Sequence, residues 1–216
     1  MLSFLKAGAA ALAISAALLT APSAAVAQDG GSITVTYKDD IATLDPAIGY
    51  DWQNFSMIKA IFDGLMDYEP GTATLRPGLA ESYEISPDGK VFTFKLRDGV
   101  KFHNGREMTA DDVKYSFERT VNPATQSPGA GFLASIDGFD AMQAGEATSL
   151  SGVEILDPKT VQVTLSRPDA TFLSVMALNF SFIVPKEEVE KSGADFGRNP
   201  VGTGAFKLAE WTLGQK

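Results

Sequence analysis

The sequence predicts a mixed α/β protein with a β-hairpin-rich subdomain. Three observations carry that expectation. Strand-like and helix-like segments alternate irregularly, turn sequences join strand pairs directly, and Gly78 to Arg119 holds a hairpin, a second turn and a capped helix without a break. A simple doubly wound sheet does not fit that order.

The chain opens as an export signal. Lys6 gives a positive start, Ala7 to Leu19 is apolar, Pro22 breaks the stretch, and Ala25-Val26-Ala27 is a small-x-small cleavage site before Gln28. The apolar stretch falls short of the roughly 20 residues that span a bilayer, so residues 1–27 are expected to be a cleaved signal peptide and not an anchor. The remainder is expected to be soluble and extracytoplasmic.

Composition narrows the chemistry. The chain has no cysteine, which excludes disulfides, thiolate metal sites, a cysteine nucleophile and a lipid-modified cysteine after the signal. Free periplasm fits that better than a lipid anchor. With 27 acidic and 18 basic residues the formal net charge is −9, and no basic cluster marks a nucleic-acid partner. The acidic excess is read as solubility.

Ile33, Val35 and Tyr37 alternate as a strand, and residues 39 to 51 form a polar connection. Asp51 can cap a helix whose stripe is Phe55, Ile58, Ile61, Phe62, Leu65 and Met66, with Pro70-Gly71 turning afterwards. Tyr83 and Ile85 lead into the turn Ser86-Pro87-Asp88-Gly89, where Pro presets one backbone angle and Gly accepts positive φ. Phe92, Phe94 and Leu96 then share one face of the returning strand. Asp98-Gly99 turns again, and Val100 and Phe102 resume the alternation. Thr109 opens a helix with Asp111 and Asp112 at the positive end of its dipole, and Val113, Ser116, Phe117 and Thr120 follow at helical spacing.

Asn122 to Gly131 reads as loop, and Phe132 to Gly145 as a short helix or two. Val153 and Ile155, the turn Asp157-Pro158-Lys159-Thr160, and Val161, Val163 and Leu165 make a second hairpin. Asp169 caps a helix bearing Phe172, Leu173 and Met176. Phe182 to Val184 is a short buried strand, and Pro185 suits the first turn of the next helix. Asn199 to Trp211 is loop followed by a strand from Ala205, with Leu213-Gly214 as a turn.

Catalytic signals are weak. Asp39, Asp40, Asp45 and Asp51 could pair as hydrolytic carboxylates or bind calcium, but their spacing fits no EF-hand loop, and loop and capping roles explain them better. His103 is the sole histidine and sits in a turn, where a surface role is expected. Gly202-Thr203-Gly204 precedes a strand and not a helix, which reads as tight backbone packing and not a dinucleotide loop.

Four stretches, in order, resemble the extracytoplasmic solute-binding proteins of peptide-, nickel- and opine-type ABC importers, bacterial solute-binding protein family 5. They are TLDPAIGYD with IFDGLMDYEPGTATLRPGLAESYEIS, then LRDGVKFHNGREMTADDVKYSFER, DPKTVQVTLSRPDATFLSVMA and NPVGTGAFKLAEW. The resemblance implies a type II periplasmic-binding-protein fold, with a mixed-sheet lobe and an additional hairpin-rich α+β subdomain. It places residues 28–50 and 186–216 in the partial core of lobe I, and residues 51–185 in the extra subdomain, with the second lobe absent from this chain. It implies a monomeric, non-enzymatic protein without cofactor or metal. Such a protein takes a peptide or other small organic solute and serves membrane permease subunits.

By the same resemblance, the protein segment that pairs with ligand backbone falls on Tyr50, Asp51 and Trp52. Helix capping competes for Asp51, and an inward-packing staple at the helix start competes for Trp52. A second candidate patch is Asn179, Phe180 and Ser181. At Gly129, after Ser127-Pro128, the peptide binders of the family carry an aromatic residue. A glycine there leaves an expected wall of the peptide pocket missing.

Overall fold

The computed structural model describes residues 33–212; the expected signal peptide and the turn at Leu213-Gly214 lie outside them. The described residues fall into two units, 33–36 in the first and 37–212 in the second. Within the first, residues 33–36 have irregular backbone. Tyr37 in the second is irregular too, so the expected strand is not formed: alternation names a face, but a strand also needs a neighbour for its hydrogen bonds.

In the second unit, helix α1 (Trp52–Ile61) is capped by Asp51, whose side chain accepts from the Asn54 N–H at 2.8 Å. The helix stops at Ile61, earlier than its apolar stripe suggests. Phe62 turns extended, and the stripe continues into strand β1 (Met66–Tyr68), which pairs with β2 (Leu75–Pro77). The reason lies far along the chain. Gly204 and Phe206 donate their backbone N–H groups to the carbonyls of Ile61 and Ala60 at 2.8 and 3.1 Å, taking the acceptors that mark the end of the helix.

Strands β3 (Ala80–Ile85), β4 (Val91–Leu96), β5 (Val153–Asp157) and β6 (Thr160–Thr164) form an antiparallel sheet in the order β3-β4-β6-β5. Both expected hairpins are therefore present, and β6 from the second pairs with β4 from the first. Gly89 and Gly99 take the positive φ their turns require. Phe92, Phe94, Leu96, Val161 and Val163 are buried. Helix α2 (Ala110–Val121) packs across β5 and β6, burying Val113, Phe117 and Val121 in the same cluster. At its start the Asp112 carboxylate accepts from the Thr109 N–H at 2.9 Å. Val100 and Phe102 lie beside a single bridge, Lys101 with Glu107, and not in a strand.

The expected helical region after Phe132 holds a 3-10 turn, Ala130–Leu133, and helix α3 (Phe139–Gln143). Helix α4 (Phe172–Val175) follows an Asp169 turn, in which the carboxylate accepts from the N–H and hydroxyl of Thr171. Phe182 to Val184 is buried and extended but belongs to no ladder: Ile183 N–H donates to Asp63, and Val184 N–H to the Ser116 hydroxyl. Pro185 sits one position before helix α5 (Lys186–Ser192). Ala205 to Trp211 is also irregular: among the described residues it pairs with no strand, and its Phe206 N–H goes to the Ala60 carbonyl at the end of α1.

Two hydrophobic clusters result. The larger lies between the four-stranded sheet and α2. The smaller gathers Leu44, Ile58, Ile61, Phe62, Phe182, Val184, Val189 and Phe196 around α1 and α5.

Candidate functional site

The segment Leu44 to Gly49 is a buried turn that presents Tyr50, Asp51 and Trp52 at the start of α1. Its backbone is held by side chains from distant parts of the chain. Asn179 Nδ2 donates to the carbonyls of Pro46 and Gly49 at 3.0 and 2.8 Å, and the Ser127 hydroxyl donates to the Ala47 carbonyl at 2.5 Å. Arg119 forks onto both oxygens of Asp45 at 2.8 and 2.5 Å, while Asp45 Oδ1 also accepts from the Ala47 N–H. Both side chains of this ion pair are nearly buried, and the Arg119 guanidinium lies over the Phe196 ring.

Aromatic rings cover the turn. Phe180 is buried at 2 % exposure and meets Tyr50 at 5.4 Å, Phe132 at 5.6 Å and Phe55 at 6.2 Å between ring centroids. Tyr50 and Phe132 remain 57 % and 40 % exposed, and Trp52 is 78 % exposed. Trp52 therefore does not pack inward as a staple. Asp51 is occupied as the helix cap. Asn179, Phe180 and Ser181 are buried, so they support the face from behind and do not present side chains on it. Among the described residues the Ser181 hydroxyl has no hydrogen-bond partner.

Sequence reasoning missed Phe132, Phe55 and the Asp45–Arg119 pair. Phe132 could be suspected only as a large apolar residue in an otherwise small and polar stretch. The ion pair joins residues 74 apart, and no local pattern signals it.

The acidic cluster is dispersed in structure. Asp45 pairs with Arg119, Asp51 caps α1, and Asp39 accepts from the Gln53 side chain at 3.2 Å. His103 is part-buried and not a free surface group. Its Nδ1 accepts from the Gly202 N–H at 3.3 Å, which leaves Nε2 to donate to the Gly204 carbonyl at 2.8 Å. The Gly202–Gly204 loop is held against the end of α1 as tight packing, as the sequence suggests. A β-carbon on Gly202 would lie 2.1 Å from the Ile61 carbonyl oxygen. Elsewhere a recess of about 310 Å³ is lined by Lys59, Asp63, Asp67, Arg76 and Arg97, with Asp67 paired to both Lys59 and Arg76. None of the candidate residues lines it.

Residues 74–216 match the family described as "Bacterial extracellular solute-binding proteins, family 5 Middle". The chain belongs to this family. It is 38 % identical over 165 residues to the dipeptide-binding protein of Escherichia coli, an overlap covering 70 % of this chain and 30 % of that protein. The glutathione-binding protein GsiB of Escherichia coli is 31 % identical over 206 residues, covering 95 % of this chain and 36 % of that one. Among solved structures, the Escherichia coli murein tripeptide binding protein MppA superposes with a TM-score of 0.75 at 35 % identity, covering 82 % of this chain and 35 % of that one. The Haemophilus influenzae OppA complex with RPPGFSPFR gives 0.74 at 31 % identity, covering 79 % of this chain and 34 % of that one. The family-5 chain thus has the type II periplasmic-binding-protein fold and spans about a third of the length of the relatives it matches.

Proposed function

We propose that the full protein is the periplasmic solute-binding component of an ABC importer. It captures a small organic solute, a peptide or peptide-like molecule, in a cleft between two lobes and delivers it to permease subunits of the inner membrane. The observation that carries this reading is the open aromatic face: Tyr50, Trp52 and Phe132 stand exposed, and the Tyr50 turn beneath is braced by Asn179, Ser127 and Arg119. Large rings on a rigid base favour a surface that another surface covers. Closure of a second lobe over them supplies the state a permease distinguishes from the empty form.

In this reading residues 1–27 are the signal peptide and residues 28–50 and 186–216 contribute to lobe I. Residues 51–185 form the extra subdomain, with α1 turning its buried side to the smaller cluster. Tyr50 and Trp52 touch the ligand, Asp51 orders the helix start, and Asn179, Phe180 and Ser181 support them. The protein acts as a monomer and catalyses no reaction; relatives named for dipeptide, glutathione and murein tripeptide binding support a peptide-sized ligand.

Isothermal titration of the full protein against peptides, sugars, metal chelates and a bile acid tests the proposal. Trp52 fluorescence provides a second signal. Saturable binding of a peptide with a blue shift that Trp52→Phe abolishes is the expected result. Steady cleavage of any probe, or binding that leaves Trp52 unaffected, would overturn it.

A further inference from the structure

We propose that Gly129 is a specificity-determining position. By lacking a side chain it admits the buried Phe180 ring behind Tyr50 and Phe132, and so holds those two exposed rings in place to receive an apolar, ring-bearing side chain of the ligand. The inference deepens the solute-binding reading above and rests on it.

Gly129 has φ −99° and ψ 2°, a conformation open to any residue, so its backbone does not demand glycine. The demand is steric and comes from one neighbour. A β-carbon at position 129 would lie 2.1 Å from Cγ of Phe180 and 2.2 and 2.4 Å from its two Cδ atoms. These are atoms at the root of the ring, which a small tip rotation cannot clear.

Neither partner can step back. The Phe180 carbonyl accepts from the buried Thr120 hydroxyl at 2.9 Å, and its neighbour Asn179 is tied to the Pro46 and Gly49 carbonyls. On the other side, Ser127 is bonded to the Ala47 carbonyl and accepts from the Gly129 N–H at 3.2 Å. Any side chain at position 129 must therefore move the Phe180 ring, and with it the ring contacts to Tyr50 and Phe132. Among the described residues no cation lies over Tyr50, Phe132 or Phe180. The exposed rings of Tyr50 and Phe132 offer π-faces on which an aromatic side chain of the ligand stacks.

The test titrates the full protein with tri-alanine and with three tripeptides carrying one phenylalanine at the first, second or third position. Wild type is expected to prefer at least one phenylalanine peptide by about fivefold or more, the factor an aromatic pair contributes. Gly129→Ala should lose that preference. Phe132→Ala, which removes an exposed ring and spares the core, should lose it as well. In the unliganded protein, Gly129→Ala and Phe180→Leu should be non-additive in melting temperature, the second substitution relieving the first.

Additive melting temperatures, or an unchanged peptide ranking in Gly129→Ala or Phe132→Ala, would overturn the role of Gly129 and leave solute binding standing. Wild-type protein that binds none of the four peptides would instead overturn the peptide reading itself, and this inference with it.

Discussion

Two aspartates six residues apart do different jobs, and the difference is set by their partners. Asp51 caps the helix that begins beside it, a bond within one turn of chain. Asp51→Ala is expected to cost about 1 kcal/mol in urea denaturation. Asp45 is held by a guanidinium 74 residues away in sequence, with both side chains nearly buried. Asp45→Ala leaves Arg119 charged without its partner and should cost about 3 kcal/mol or more. Asp45→Leu combined with Arg119→Met should cost less than the sum of the two single changes in the same assay, because no unpaired charge remains. The first role was legible in the sequence, because capping depends on neighbours in the chain. The second was not: a lone aspartate in a polar stretch looks the same with or without a distant arginine. Trp52 shows the converse limit, since a residue suited to a staple stands 78 % exposed.

Local pattern set the identity of both hairpins and of α1 and α2, but the strands expected at residues 33–37, 182–184 and 205–211 did not form, and tertiary contacts set where α1 ends. Both hairpins and α2 follow their alternation and capping residues closely. The stripe from Phe55 to Met66 was instead divided, because the Gly202–Phe206 backbone takes the carbonyls at Ala60 and Ile61. Gly202→Ala would drive a β-carbon to 2.1 Å from the Ile61 oxygen and is expected to cost about 2 kcal/mol by thermal unfolding. A melting temperature equal to wild type would show that the loop is not packed there. Helices α2 and α5 are joined through Arg106, which bonds Asp112 at 2.9 and 2.6 Å and Glu187 at 2.6 and 3.0 Å. The Arg106 guanidinium holds the Glu187 carboxyl below its ordinary 4.5, outweighing the opposing effect of partial burial. Since the folded value is the lower one, the pair contributes fully above pH 4.5 and is lost as pH falls through the depressed value. Circular dichroism melts across that range should find wild type more stable than Glu187→Gln above pH 4.5, with the two curves converging in acid. The difference should stay within about 1 kcal/mol, because Glu187 is half exposed.

At the scale of the molecule, the sheet with α2 forms one hydrophobic cluster and the surroundings of α1 and α5 form another. Phe117 is fully buried in the first, and Phe117→Ala is expected to cost about 3–5 kcal/mol, read as a lowered urea midpoint. By itself the sequence determined the mixed α/β class, the two hairpins, the capped starts of α1 and α2 and the family, since each rests on residues close together or on literal wording. The cap expected of Asp169 is instead a turn before α4, whose N-cap is Thr171. Only the tertiary structure decided where α1 ends and that three candidate residues lie behind the face. It also decided that Phe180 fills the space beside Gly129. Periodicity reports which side of an element is apolar; which distant side chain meets it is fixed by packing, and packing has no period in the chain.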